Sequence, residues 1–282
     1  MQFLFNTIML EINRWTEHHT LTFPLIDLLK PLKIAQFDEL EIWQYHISSL
    51  TDKEVKILAE KLQELDMSVP VIGMYVQLHL KNSAADEMNR LVTHMTSSAT
   101  ILGSRMIKIS PGSLASKGMD LPTWKLSIAR LKELATKLAD KGMLLSMETH
   151  SNSLCDTEES VLRLMNDLSG LDNVGICYQP FDEQNTEQAM KTFSNLYPYV
   201  IHIHLQNLPS GDAETTTFLE TGGWMDYTKL LPHIKKSGYD GIFSLEFTEG
   251  IFPPEGEEFN PQTVIHNAVT DREFFLKWWE AE

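Results

Sequence analysis

Three side chains able to move a proton or hold a cation stand at or near the ends of short apolar runs. Glu148 follows Leu144-Leu145-Ser146-Met147, Glu246 follows Ile242-Phe243-Ser244-Leu245, and His204 lies in Val200-Ile201-His202-Ile203-His204-Leu205. A carboxylate is costly to strip of water unless it is paired or bound to a metal, so an acid in such a place needs a local reason. Two carboxylates and one imidazole form an oxygen/nitrogen set suited to a divalent ion such as Mn²⁺, Mg²⁺ or Zn²⁺. Each residue alone has a plainer reading, as the partner of a loop lysine or as a hydrogen-bonded core imidazole. His202 and His204 alternate with apolar residues and therefore share one face of their strand.

The surrounding chain supplies the frame that would bring them together. Eight β-rich runs recur, at Phe3 to Ile8, Glu39 to Trp43, Pro70 to Tyr75, Met106 to Ile109, Leu144 to Glu148, Val174 to Tyr178, Val200 to Leu205 and Ile242 to Phe247. A helix-length stretch separates each from the next, which is the βαβ pattern and not the hairpin pattern. Helix starts are marked at Thr51-Asp52-Lys53-Glu54, Asp156-Thr157-Glu158-Glu159 and Asp226-Tyr227-Thr228. Eight such units in 282 residues predict a single (β/α)8 TIM barrel over 1–282. Neither GxGxxG after the first strand nor GxxxxGK[ST] occurs, which sets nucleotide folds aside. The stretch Phe252 to Pro261 is read as a loop near the barrel mouth, ahead of a closing helix from about Gln262 to Trp279. In such a barrel the site lies at the C-terminal ends of the strands.

Composition narrows the ligand. Lys plus Arg is 23 and Asp plus Glu is 39, a net charge of −16. That field repels a phosphate backbone, and no basic cluster overrides it, so nucleic acid is not an expected partner. No apolar run approaches the roughly 20 residues that span a bilayer. The N-terminus has neither a basic region nor a cleavage site, and Cys155 and Cys177 show no CxxC spacing. The expectation is a cytoplasmic protein with reduced thiols, acting on something small, with a homo-oligomer left open.

The residues at the strand ends carry a resemblance. Glu148-Thr149-His150, His204 and Gly241-Ile242-Phe243-Ser244-Leu245-Glu246 resemble the xylose isomerase-like TIM-barrel superfamily, and its sugar phosphate isomerase/epimerase branch in particular. Gly222-Gly223-Trp224-Met225-Asp226-Tyr227, Gly238-Tyr239-Asp240-Gly241 and the commoner Leu40-Glu41-Ile42-Trp43 extend the likeness along the chain. The resemblance implies one divalent metal held by a Glu, an Asp, a His and a Glu on strands five to eight. Three of these fall on Glu148, His204 and Glu246. The fourth falls on Gln179, a neutral amide whose oxygen is a weaker ligand than a carboxylate, with Asp182 nearby as a substrate contact or a substitute charge.

The activity so implied is a metal-dependent isomerisation or epimerisation of a small sugar, polyol or cyclitol. Glu148 and Glu246 would pass a proton across an enediolate. A keto-inositol-like dehydratase and a non-catalytic sugar-binding barrel are the alternatives. Lys108 on strand four is read either as a substrate ligand or as an interior partner of Glu148 or Glu246. His150 and Asn152 are candidate hydroxyl ligands, and Trp43, Tyr45, Trp224 and Phe247 candidate apolar walls. His18-His19 is read as a pair in the first loop. Ser210 to Thr216 contains no arginine and offers no phosphate clamp, which favours an unphosphorylated substrate.

Overall fold

The computed structural model describes residues 1–16, 19–210, 215–253 and 256–280. Eight parallel strands close on one another in chain order, β1 pairing with both β2 and β8. They are β1 (Gln2–Asn6), β2 (Glu39–Trp43), β3 (Ser68–Val76), β4 (Met106–Pro111), β5 (Leu144–Glu148), β6 (Val174–Tyr178), β7 (Val200–Leu205) and β8 (Ile242–Leu245). The helices that follow them are α1 (Leu25–Ile34), α2 (Asp52–Glu64), α3 (Asn82–Leu102), α4 (Leu121–Ala139), α5 (Glu158–Asp167), α6 (Thr186–Leu196), α7 (Tyr227–Lys236) and α8 (Pro261–Glu280). This is the (β/α)8 barrel that the alternating pattern predicts. No helix among the described residues is long and apolar enough to cross a membrane.

The local signals act as their chemistry requires. Thr51 caps α2 and Thr157 caps α5 through reciprocal capping boxes, closed by Glu54 and Ser160 respectively, and Asp226 accepts from Thr228 N at the start of α7. Two strands end earlier than expected. β1 stops at Asn6, whose side chain accepts from Ile8 N and starts a 3-10 turn over Thr7–Leu10. β8 stops at Leu245, so Glu246 stands just beyond the ladder, although its N–H still donates to Leu205 O. The loop expected over Phe252 to Pro261 lies partly outside the described residues, and α8 begins at Pro261.

The barrel interior is layered by the two-residue period of its strands. At the N-terminal end, buried Leu4, Val71, Met106 and Ile242 form an apolar plug, with Leu144 and Ile201 packed against it. Two residues further along the same strands come Asn6, Gly73, Lys108, Ser244 and Ser146. The change from apolar to polar thus takes one step. Ile201 reaches the plug through a bulge: Ile176 pairs with Val200 but Cys177 with His202, leaving Ile201 as the extra residue. Gly175 gives it room, since a Cβ there would lie 2.8 Å from the Ile201 side chain. The larger apolar core lies between the strands and the helices.

Candidate metal centre

His204 is the hub of the polar layer. It reaches the interior from β7 and is 1% exposed. Its Nδ1 lies 3.0 Å from Glu148 Oε1 and 3.2 Å from Glu246 Oε2, and its Nε2 lies 3.0 Å from Glu41 Oε2. Glu148 comes from the end of β5, Glu246 from just past β8, and Glu41 from β2. Lys108 on β4 completes the group, with Nζ 3.1 Å from Glu148 Oε2 and 3.8 Å from Glu41 Oε1. One potential ligand atom each from Glu148, His204 and Glu246 lies within 4.8 Å of the other two.

The set fits a divalent cation. Glu148 Oε1 and His204 Nδ1 are both buried and, though close, make no well-formed hydrogen bond with each other or with any other group among the described residues. Ligands at about 2.1 Å from an ion, at right angles, stand about 3 Å apart. The separations of 3.0 and 3.2 Å agree with that spacing. Buried polar atoms are normally satisfied, and a cation taking the place of the His204 Nδ1 proton would satisfy both atoms at once.

Electrostatics hold Glu41 and Glu148 ionised. Burial raises the Glu41 pKa, but His204, His202 and Lys108 overcome it and bring it down to about 2. Burial likewise opposes ionisation of Glu148, and Lys108 and His204 hold it well below the usual carboxylate range. Lys108 stays charged: desolvation works against it, and Glu148 and Glu41 raise its pKa well above the ordinary value. Burial also works against a charge on His204, and the negative groups around it, Glu246 and Glu41 among them, raise its pKa well above the imidazole range. Beneath, burial drives His202 down to about 3 and pushes the Cys177 thiol up to about 12, so both are neutral at pH 7. His202 Nε2 sits 2.8 Å from Ser244 Oγ. That pair forms a floor between the charges and the plug.

The other sequence candidates have partners of their own. Gln179, 5% exposed beyond the end of β6, accepts from Gln206 Nε2 at 3.0 Å through its Oε1, while its backbone N–H donates to Thr149 Oγ at 2.8 Å. Lys108 pairs with carboxylates, as its interior reading expects. Asp182 is exposed in a surface depression with Ser151, Asn152, Asp156 and Phe181. His150 is exposed and bonds Ser151 O at 2.8 Å; desolvation works against its charge, but Glu148, Glu246 and Asp182 raise its pKa. Asn152 adopts a positive φ of 54° in the same loop.

Aromatic residues line the mouth. Trp43 donates from Nε1 to Tyr75 Oη at 3.2 Å and packs on Tyr45, which stacks on His19 at 3.9 Å. Phe247 packs on exposed Trp15, which in turn stacks on Phe252 at 5.3 Å. Trp224 instead pins the loop after β6 by donating to Gln184 O. His18 and part of the Ser210 to Thr216 stretch lie outside the described residues. Glu41 is the residue that the sequence reading named only within a motif. Its signal was there, an acid flanked by Leu40, Ile42 and Trp43 in a strand.

Comparison with known proteins agrees with this architecture. A 3-dehydroshikimate dehydratase of Bacillus anthracis is 22% identical over 184 residues, which are 62% of this chain and 64% of that protein. The chain therefore spans under two thirds of that relative's length. D-psicose 3-epimerase, solved in the presence of D-fructose, superposes with a TM-score of 0.74 at 13% identity, covering 100% of both chains. The IOLI protein, solved with a zinc atom, gives a TM-score of 0.74 at 18% identity over 99% of this chain and 98% of its own. At these identities the likeness is one of fold. Residues 32–263 match the sequence profile of the xylose isomerase-like TIM barrel, and the chain belongs to that family.

Proposed function

We propose that this protein is a metal-dependent isomerase or epimerase of a small, uncharged keto-sugar, polyol or cyclitol. The observation that carries the proposal is the convergence of Glu148 Oε1, His204 Nδ1 and Glu246 Oε2 on one buried point. Glu148, His204 and Glu246 would hold the ion, with Gln179 as a weaker fourth ligand once its amide turns from Gln206. When bound, a divalent ion supplies polarisation of the substrate carbonyl and a counter-charge for the enediolate.

The proton steps belong to the two glutamates. One removes the proton α to the carbonyl, and the other returns it. Return to the opposite face of the same carbon epimerises, and return to the neighbouring carbon isomerises. Glu148 is tied to Lys108, whereas Glu246 has His204 as its close ionic partner. The freer carboxylate, Glu246, is the one suited to approach a substrate carbon. Because Lys108 is engaged by two carboxylates, it does not serve as an anion clamp, which supports an unphosphorylated substrate. His150, Asp182 and the aromatic residues at the mouth would contact hydroxyls and C–H faces.

Elemental analysis after dialysis against Mn²⁺ is the first test, with one ion per chain expected and loss of it in Glu246→Gln. A screen of keto-hexoses and keto-inositols in D₂O follows. A new epimer or isomer carrying carbon-bound deuterium supports the proposal. The dehydratase relative favours a second reading, in which the same base removes the proton and water departs from the β-carbon. An unsaturated product absorbing in the ultraviolet would select that reading. Ligand binding without either product would leave a sugar-binding barrel.

A further inference from the structure

We infer that Glu41 is the positioning residue of the metal centre: it selects the tautomer of His204 that can bind a cation, and it supplies the charge that makes the site match a divalent ion. This inference rests on the reading of Glu148, His204 and Glu246 as ligands. Glu41 takes no place in that set. It lies on the other side of the imidazole, with Oε2 3.0 Å and Oε1 3.3 Å from His204 Nε2. An imidazole that donates Nε2–H to a carboxylate keeps a bare lone pair on Nδ1, its orientation is fixed, and its basicity rises. Nδ1 is the atom that faces Glu148 and Glu246. The proton on one edge of the ring thus determines what the opposite edge can do.

Charge gives the second, independent strand. With His204 neutral, as a ligand to a cation must be, Glu41, Glu148 and Glu246 carry three negative charges into the barrel interior against the single ammonium of Lys108. Two negative charges remain, the complement of one divalent ion. Gln179 adds none. Without Glu41 only one would remain, so the carboxylate behind His204 supplies the balance that a neutral Gln179 does not. The seat of Glu41 is also kept open. A Cβ on Gly73 would lie 3.1 Å from Glu41 Oε1 and 3.4 Å from Lys108 Cε, so a side chain at position 73 would press on both partners. Glycine here leaves the carboxylate free to meet His204 Nε2 and Lys108 Nζ together.

The test uses the full chain and Mn²⁺ or Zn²⁺ as the probe. Glu41→Gln keeps the size and an acceptor oxygen while removing the charge. Calorimetry is expected to show metal affinity falling about 10- to 100-fold, the usual loss when a partner behind a metal ligand is changed. The metal-free variant should keep its circular dichroism spectrum. Gly73→Ala alters the same contact without changing charge and is expected to weaken binding in the same direction, which covers the case that Glu41→Gln does not fold. Adding Gln179→Asp to Glu41→Gln should restore more affinity than Gln179→Asp adds to the wild type. In the zinc-loaded wild type, NMR should show His204 protonated at Nε2, with that proton strongly deshielded by the Glu41 carboxylate, and Glu41→Gln should move it upfield, a change that a purely structural contact would not produce. Folded Glu41→Gln binding metal within about twofold of wild type would overturn the assignment and leave the ligand set standing, whereas His204 protonated at Nδ1 would overturn both the assignment and the place of His204 in the ligand set. A wild type that takes up no metal would overturn the functional proposal itself, and this inference with it.

Discussion

The two ends of the barrel interior are built on opposite rules. At the N-terminal end Leu4, Val71, Met106 and Ile242 pack as an apolar plug, at most 5% exposed. Further along the strands, Lys108, Glu41, Glu148 and His204 are no more exposed, yet carry charge. Burial is equal and chemistry is not. The plug is stable by itself, each side chain contributing about 1.5–3 kcal/mol on leaving water. The charged layer is stable only as a set, because every member is the partner of another. At the rim, Asp182, His150 and Asn152 are exposed and make few of these commitments. Position in the barrel therefore decides whether a residue is replaceable, and the three zones predict three sizes of effect.

The largest effect belongs to the charged layer. Lys108→Met leaves Glu148 and Glu41 without their ammonium and should cost about 3–5 kcal/mol in urea unfolding; added Mn²⁺ should recover part of it, since an ion supplies the missing positive charge. Next comes the plug, where Met106→Ala should cost about 2–5 kcal/mol and no metal should rescue it. Equal rescue of both variants would erase the distinction between the zones.

The same contrast explains what could be read before folding. Eight strands and their helices were legible because apolar runs and capping residues are local signals. Thr51 and Thr157, for example, each name their helix start within three residues. Glu148, His204 and Glu246 stood out because each sits beside or within an apolar run. Glu41 carried the same mark, but its meaning depends on His204, 163 residues away, and only barrel closure joins them. The end of β1 and the register shift at Ile201 were not legible, since a 3-10 turn and a bulge are settled by neighbouring strands. Asp182 shows the converse: adjacency in sequence to Gln179 did not bring it into the buried set.

Smaller effects sharpen the boundary between interior and rim. Asp271 on α8 accepts from Leu219 N at 2.7 Å and from the Thr248 hydroxyl, tying the loop after β7 to the segment that carries Glu246. Burial is the main cause that raises its pKa from 3.8 to about 7. The folded state thus holds this proton more tightly than the unfolded chain. The stability it contributes is complete below about pH 4 and is lost as pH rises to about 7. Thermal melts across that window should show the decline, and Asp271→Asn, which cannot ionise, should flatten this part of it. The smallest change is expected at the rim, where Asp182→Ala should alter stability by no more than about 0.5 kcal/mol. If it also leaves the KM for the substrate found in the keto-sugar screen unchanged, the depression around Asp182 is not part of the substrate site.

The apolar plug has a consequence for traffic. It closes the N-terminal end of the barrel interior, so anything that reaches His204 enters through the ring of strand C-termini and must leave the same way. The barrel interior is a dead end and not a tunnel. A product still inside bars the next substrate, so turnover in this geometry predicts competitive product inhibition, and the loops around the single doorway govern both arrival and departure.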